Sequence, residues 1–210
     1  MKRFILITGL AVGILALGSC KKEPLNNLTE DESRIYITNH NDSINYAALQ
    51  TFSISDSVAV ISNGELEEKA ITDVDAAYIA AIKQAMQDRG YTLVDRNQNP
   101  DIGINVSRIY NTYTGVFSYD DYWGDYYGYW DPYYWGYPGY GYSFPIYYGL
   151  YQVEEGMLSV DMLDLKDAAA NKIQVIWNGL IRGSGTFNDN KVTTNVKALF
   201  DQSTYLQTNG

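Results

Sequence analysis

Trp123, Trp130 and Trp135 fall within one short stretch, interleaved with Tyr126 and Tyr133 and with the carboxylates Asp120, Asp121, Asp125 and Asp131. Aromatic rings beside carboxylates can stack on sugar faces while the acids bind hydroxyls, so this pattern has the chemistry of a glycan site. The same residues suit a membrane interface, because Tyr and Trp combine an apolar body with a polar tip. They also suit a protein contact, where Tyr and Trp dominate the binding energy. A low-complexity loop without a specific ligand is the fourth reading. Stacking on single-stranded nucleic acid is excluded: it requires a basic groove, and no Lys or Arg occurs between Tyr110 and Tyr151.

Elsewhere the residues that could do chemistry lack partners. His40 is the only histidine and lies in the polar turn Asn39-His40-Asn41-Asp42, whereas a general base needs a nucleophile beside it. Ser184, in Gly183-Ser184-Gly185, lacks the spacing of a nucleophile elbow. Residues 95–101 begin like a calcium loop, but Pro100 replaces the required glycine and Val106 stands where the bidentate glutamate belongs. Asp161, Asp164 and Asp167 alternate with apolar residues and read as solvated strand and turn positions. No metal site, cofactor or catalytic residue is expected, and the chain is read as a non-enzyme, with a hydrolase the most remote alternative.

Cys20 is the only cysteine. It ends Leu17-Gly18-Ser19-Cys20, after basic Lys2 and Arg3 and the apolar residues 4–17. This is the layout of a secretory signal and looks like a lipobox, so residues 1–19 are expected to be removed and Cys20 lipidated. The apolar run is short of the roughly 20 residues of a membrane span. Two or three acyl chains on one cysteine, each buried methylene contributing about 0.8 kcal/mol, give stable attachment. Residues 20–33 read as a polar tether of about 20 Å. Lys21 and Lys22 in place of an acidic retention residue point to the outer membrane, facing the periplasm.

Loss of Lys2 and Arg3 takes the formal charge from -10 to -12, which excludes binding to nucleic acid phosphates. The remaining residues, 34–210, suit one domain. Strands are expected at 34–38, 46–54, 91–95, 101–107, 158–165 and 173–177, with 58–61 a further short one and 167–171 a hairpin connection. In 101–107, Ile102, Ile104 and Val106 alternate with Gly103, Asn105 and Ser107, the period of a half-buried strand. The spacing of Val74, Tyr78, Ala81, Ile82, Ala85 and Met86 predicts a helix over 73–89, capped by Thr72 and stopped by Gly90. A second helix is expected over 190–200. These elements imply an α+β fold: a two-layer sandwich with a largely antiparallel sheet, two helices on one face and a long Tyr/Trp/Gly-rich loop at about 110–151.

In this order the elements carry further landmarks. They are Thr51-Phe52, Arg89-Gly90-Tyr91, Asn99-Pro100-Asp101-Ile102, Gly156-Met157-Leu158-Ser159-Val160-Asp161 and Val175-Ile176-Trp177-Asn178-Gly179. Over residues 34–202 the chain thus resembles the bacterial lipoprotein family called domain of unknown function 4136, whose members often carry an aromatic insertion at this place. The resemblance implies a small α+β lipoprotein domain and no assigned activity. The expected partners are the membrane, through Cys20, and an envelope protein or a glycan, through the aromatic tract.

Overall fold

The computed structural model describes residues 29–62, 65–110, 114–118, 132–143, 148–152, 156–169 and 172–208. Its centre is an antiparallel ladder of β6 (Ile102–Tyr110), β10 (Met157–Ala169) and β11 (Lys172–Arg182), extended at one edge by β1 (Ile35–His40), which the one-turn helix α1 (Glu30–Ser33) precedes. On the other side of β6 lie β2 (Thr51–Ile54) and β3 (Val58–Ser62), with β4 (Glu65–Ala70) beside β3 and β5 (Thr92–Leu93) beside β2. The α+β class expected from the sequence holds. The sheet is mixed: beside the antiparallel ladder, β2 and β3 both run parallel to β6. The cause is a helical crossover, since α2 (Asp73–Asp88) carries the chain back before β5 and β6 begin.

β2 and β3 are two halves of one interrupted strand. Between the pairs Ile54–Ile104 and Ala59–Ser107 the chain takes five steps on this side and three on β6. The surplus is absorbed at residues 55–57, where the Ser55 amide bonds to Ile104 O at 3.0 Å and its hydroxyl donates to Ser57 O at 2.8 Å. Residues 46–48, expected in a strand, form a 3-10 turn instead. The Tyr46 hydroxyl there donates to Ile176 O at 2.6 Å. The connection between β10 and β11 is tighter than expected, because pairing continues to Ala169–Lys172. β4, rich in Glu and Lys, was not anticipated.

α2 starts as its sequence directs. Thr72 accepts from the Asp75 amide, and the Asp75 carboxylate accepts from the Thr72 amide and hydroxyl, both at 2.8 Å. Asp75 is fully buried and lies 3.1 Å from Arg108 Nε of β6, so the cap also ties helix to sheet. Gly90 ends the helix at φ 90°, the left-handed conformation that glycine takes without penalty. Tyr78, Ile82 and Met86 of α2 share a core with Val192, Val196, Leu199 and Phe200 of α3 (Val192–Asp201). Phe52, Ile104, Val106, Leu158, Val160 and Trp177 of the sheet complete it.

Several polar groups of this layer bond one another. Tyr36 donates to Asn195 Oδ1, Asn195 Nδ2 donates to Tyr78 Oη, and Tyr78 donates to Thr186 O. Burial, partly offset by the Asn195 bond, pushes the Tyr78 hydroxyl up to about 12. Trp177 Nε1 donates to Ser203 Oγ at 2.9 Å. Arg89, just after α2, donates to the carbonyls of Phe200, Ser203 and Leu206 at the end of α3 and lies over the Phe200 ring. A guanidinium fork at a helix C-terminus satisfies carbonyls that have no helical partner. Arg89→Ala is expected to lower stability by about 3 kcal/mol in urea unfolding, because several charge-assisted bonds are lost. Arg89→Lys should recover only part of this, lacking the fork.

Candidate functional site

Strand period puts Ile104 and Val106 on the helix side of β6 and sends Gly103, Asn105 and Ser107 to the other face. That second face is not open. At its foot lies a separate apolar cluster of Trp135, Leu163, Leu165, Ile173 and Val175, with Tyr134, Tyr137, Tyr140 and Tyr142 packed against it. Residues 132–143, the middle of the aromatic tract, therefore lie on the sheet. They comprise a 3-10 turn (Pro132–Trp135) and β8 (Gly141–Ser143), which pairs in parallel with Lys172, Ile173 and Gln174 of β11. The two-layer expectation gives way here: helices cover one face and an aromatic segment lies on the other.

Gly103 makes room for this segment. A Cβ there would come within 3.2 Å of two Trp135 ring carbons and 3.0 Å of Leu165 Cδ1. Tyr137 donates to Leu165 O at 2.6 Å. Arg96 donates to Tyr134 O at 3.3 Å and its guanidinium sits 4.6 Å from the centre of that ring. Trp135 is only 4 % exposed, and its Nε1 has no hydrogen-bond partner. Its rings are spent on the protein, so the assignment of Trp135 as an open stacking platform is corrected.

One row up the same face lies a polar set that the sequence reading placed in solvent. Asp161 of β10 is paired in register with Asn105 of β6 and Asn178 of β11, and Asn178 with Asn39 of β1. Asp161 is 4 % exposed, and Asn105, Ser159 and Asn178 are buried with it. Asn178 Nδ2 donates to Asp161 Oδ1 at 2.6 Å and to Ser159 Oγ at 3.0 Å, and Ser159 donates to Asp161 Oδ2 at 3.3 Å. Asn105 Oδ1 accepts nothing, a loss of about 1–3 kcal/mol for a buried acceptor. Burial, against the Asn178 and Ser159 bonds, pushes the Asp161 carboxyl up to about 7. Asp164 is buried too, and its carboxyl is raised chiefly by burial. Neither is a solvated strand position.

The roots of the tract form a ribbon, β7 (Thr114–Ser118) paired antiparallel with β9 (Tyr148–Gln152). It keeps the β6–β10 register: five residues beyond Ile109 stands Thr114, five residues before Met157 stands Gln152, and both couples are paired. The tract is thus the distal part of a β-hairpin and not a loop throughout. Cys20, Asp120, Asp121, Trp123, Asp125, Tyr126, Trp130 and Asp131 lie outside the described residues. Tyr133 lies in the 3-10 turn.

The remaining sequence candidates have structural roles. His40 stacks on Tyr205 at 4.0 Å and meets Asp42 at 2.7 Å. Ser184 follows Gly183, whose φ of 109° and close approach to Ser33 O leave no room for a Cβ. Asp95 caps a 3-10 turn, and Asp101 accepts from the amides of Gln50 at 2.7 Å and Thr51 at 3.1 Å. Burial opposes ionisation of Asp101, but those amides and Lys166 outweigh it and hold the carboxyl low. Among the described residues no group of three His, Cys, Asp or Glu side chains could hold a metal ion.

A family profile described as "Domain of unknown function (DUF4136)" matches residues 37–203. The chain belongs to this family. The landmarks Thr51-Phe52, Arg89-Gly90-Tyr91 and Val175 to Gly179 fall within the match, on β2, the end of α2 and β11. Its structure is similar to that of a DUF4136 family protein from Bacteroides thetaiotaomicron, with a TM-score of 0.68 and 28% identity, over 84% of this chain and 99% of that one. More distant likenesses reach a TM-score of 0.41 each. One is a PDZ domain protein from Parabacteroides distasonis, 16% identical over 89% of this chain and 42% of that one. Another is a dodecameric PelC variant from Paraburkholderia phytofirmans, 9% identical over 84% and 99%. No activity transfers from either. A search of curated proteins finds no match.

The Asp161 proton gives this DUF4136 chain a testable pH dependence. The native carboxyl keeps its proton to about 7, whereas the unfolded one, at the ordinary 3.8, loses it earlier. The unfolded state therefore binds fewer protons in between, and the contribution of this group falls as pH rises from about 4 to about 7. Above that range the buried charge costs on the order of 4 kcal/mol. Asp161→Asn is expected to raise Tm at pH 8 by about 5 °C or more and to remove this slope, measured by thermal unfolding between pH 5 and 8. The amide also offers Asn105 Oδ1 a donor. A second substitution, Gly103→Val, should expel the Trp135 ring and shift tryptophan emission to the red.

Proposed function

We propose that this DUF4136 chain is a lipid-anchored, non-enzymatic protein of the bacterial cell envelope, held through Cys20. Its aromatic tract contacts the envelope surface to which it is tethered. The reading rests on the lipobox-like Leu17-Gly18-Ser19-Cys20 and on one feature of the sheet. Ile61, Ile109, Met157, Arg182 and Ile35 are partners across consecutive strands and form a single row. Ile35 follows α1, the folded end of the expected tether, while Ile109 and Met157 are the roots of the aromatic ribbon. The chain from the anchor and the ribbon therefore meet the sheet at the same end, with Ile35 two strand spacings (about 10 Å) from Met157 and three (about 14 Å) from Ile109.

That common end favours the bilayer interface as the contact, because a short tether restricts this end of the domain to the membrane's neighbourhood. Tyr and Trp are the residues that settle at the headgroup level. Among the described residues no helix is long and apolar enough to cross a membrane. The lipobox-like residues 17–20 are what support attachment through acyl chains on Cys20.

Two measurements test this. Cys20→Ser should abolish labelling with radioactive palmitate and release the protein from the membrane fraction; persistent lipid labelling would refute the anchor. For the tract, tryptophan emission of the full chain is read against brominated phosphatidylcholine vesicles and, separately, against peptidoglycan fragments. Quenching by the vesicles, lost on removal of residues 119–131, is the expected result. A response to the glycan fragments alone would move the assignment to a sugar-binding module.

A further inference from the structure

Residues 144–147 join Ser143, the last residue of β8, to Tyr148, the first of β9. Such a link reaches about 18 Å at most, even when fully extended. Ser143 is paired with Gln174 of β11, eight residues from Arg182 and so about 26 Å from the end row. Tyr148 stands nine residues before Met157, in that same row. A ribbon running straight on past the row would carry Tyr148 about 30 Å beyond it. Ser143 and Tyr148 would then lie about 55 Å apart, roughly three times the reach of the link. The ribbon must double back alongside the sheet.

Burial tells which side it takes. Helices fill the face that carries Val106 and Val160. On the opposite face Ile61, Ile109 and Met157 of the end row are at most 2 % exposed, and Ser107 and Ser159 beneath them are buried too. Residues 132–143 pack lower on this face, against Leu163, Leu165, Ile173 and Val175. We propose that the ribbon folds back over the end row and, with residues 132–143, makes one aromatic layer whose outer side lies flat on the bilayer. The helices then face away from the membrane. This deepens the bilayer reading above and rests on it: the contact is the broad side of the domain and not a projecting tip.

The chemistry of the two sides fits this orientation. β7, β9 and residues 132–143 contain no charged residue. Gly136, Pro138 and Gly139 are exposed, and Tyr134, Tyr137 and Tyr140 are partly so. Tyr36 reaches Asn195 of α3, so its neighbour Ile35 points to the aromatic side, where it is 41 % exposed. The helical side instead exposes Asp73, Asp88, Lys197 and Asp201. Charges are costly at the acyl boundary, whereas tyrosine settles at the headgroup level.

Two measurements on the full chain test the two parts. For the fold-back, spin labels are placed on Ser118→Cys and Lys172→Cys in a Cys20→Ser background, in detergent, so the result does not depend on the anchor. A separation below about 35 Å is expected, whereas about 60 Å, the value for a straight ribbon, would overturn the fold-back. For the orientation, the lipidated chain carries a fluorophore on Pro138→Cys or on Gln84→Cys of α2, in vesicles of brominated phosphatidylcholine. The label at 138 should lose its emission and the label at 84 should keep it. Quenching at 84 in place of 138, or at neither while the native tryptophans are still quenched, would overturn the orientation and leave the bilayer contact standing. Loss of tryptophan quenching as well would overturn both.

Discussion

Strand period in the β6–β10–β11 ladder constrains everything else in this molecule. Side chains alternate, so Ile104, Val106, Leu158 and Val160 cannot face the helices unless Asn105, Ser107, Ser159 and Asp161 face the other way. The register then gathers those polar residues into rows instead of scattering them. A carboxyl, three amides and two hydroxyls become neighbours through pairing alone. One slip by a single residue would send them all into the apolar core. The ladder therefore fixes the helical core and the polar face in one step.

Much of this was legible in the residues. α2 carries its own start and stop: Thr72 and Asp75 at one end, Gly90 at the other, and the helix runs between them. The alternation at 102–106 and 158–162 gives β6 and β10 directly. Parallel pairing of β2 and β3 with β6 was not legible, because it depends on where α2 returns the chain and not on any local pattern. Nor was β4, whose Glu and Lys residues are poor strand formers and whose place comes from pairing with β3.

The buried polar row was misread for a physical reason. Polar residues at alternate positions look like a wetted face, and nothing in one strand says that aromatic chain returns to lie on it. A signal was nevertheless present. Positions 103, 105, 107 and 159 hold only Gly, Asn and Ser, none of the charged residues that almost never become fully buried. Short polar side chains that can bond one another across strands suit a covered layer. Trp135 was misassigned similarly: composition grouped it with Trp123 and Trp130, whereas Gly103 and Leu165, distant in sequence, give it its seat.

The common register of β6–β10 and β7–β9 has a consequence for how such chains diversify. β7 and β9 are paired as far as Ser118 and Tyr148, so that pairing is made before residues 119–131 begin. Segments of other lengths and compositions can stand at 119–131 while β8 keeps its pairing with β11 and Trp135 its seat over Gly103. Loop closure grows only slowly in cost with length. The domain is accordingly a chassis on which the outermost aromatic segment can be exchanged during evolution, or in the laboratory, independently of the scaffold that carries it.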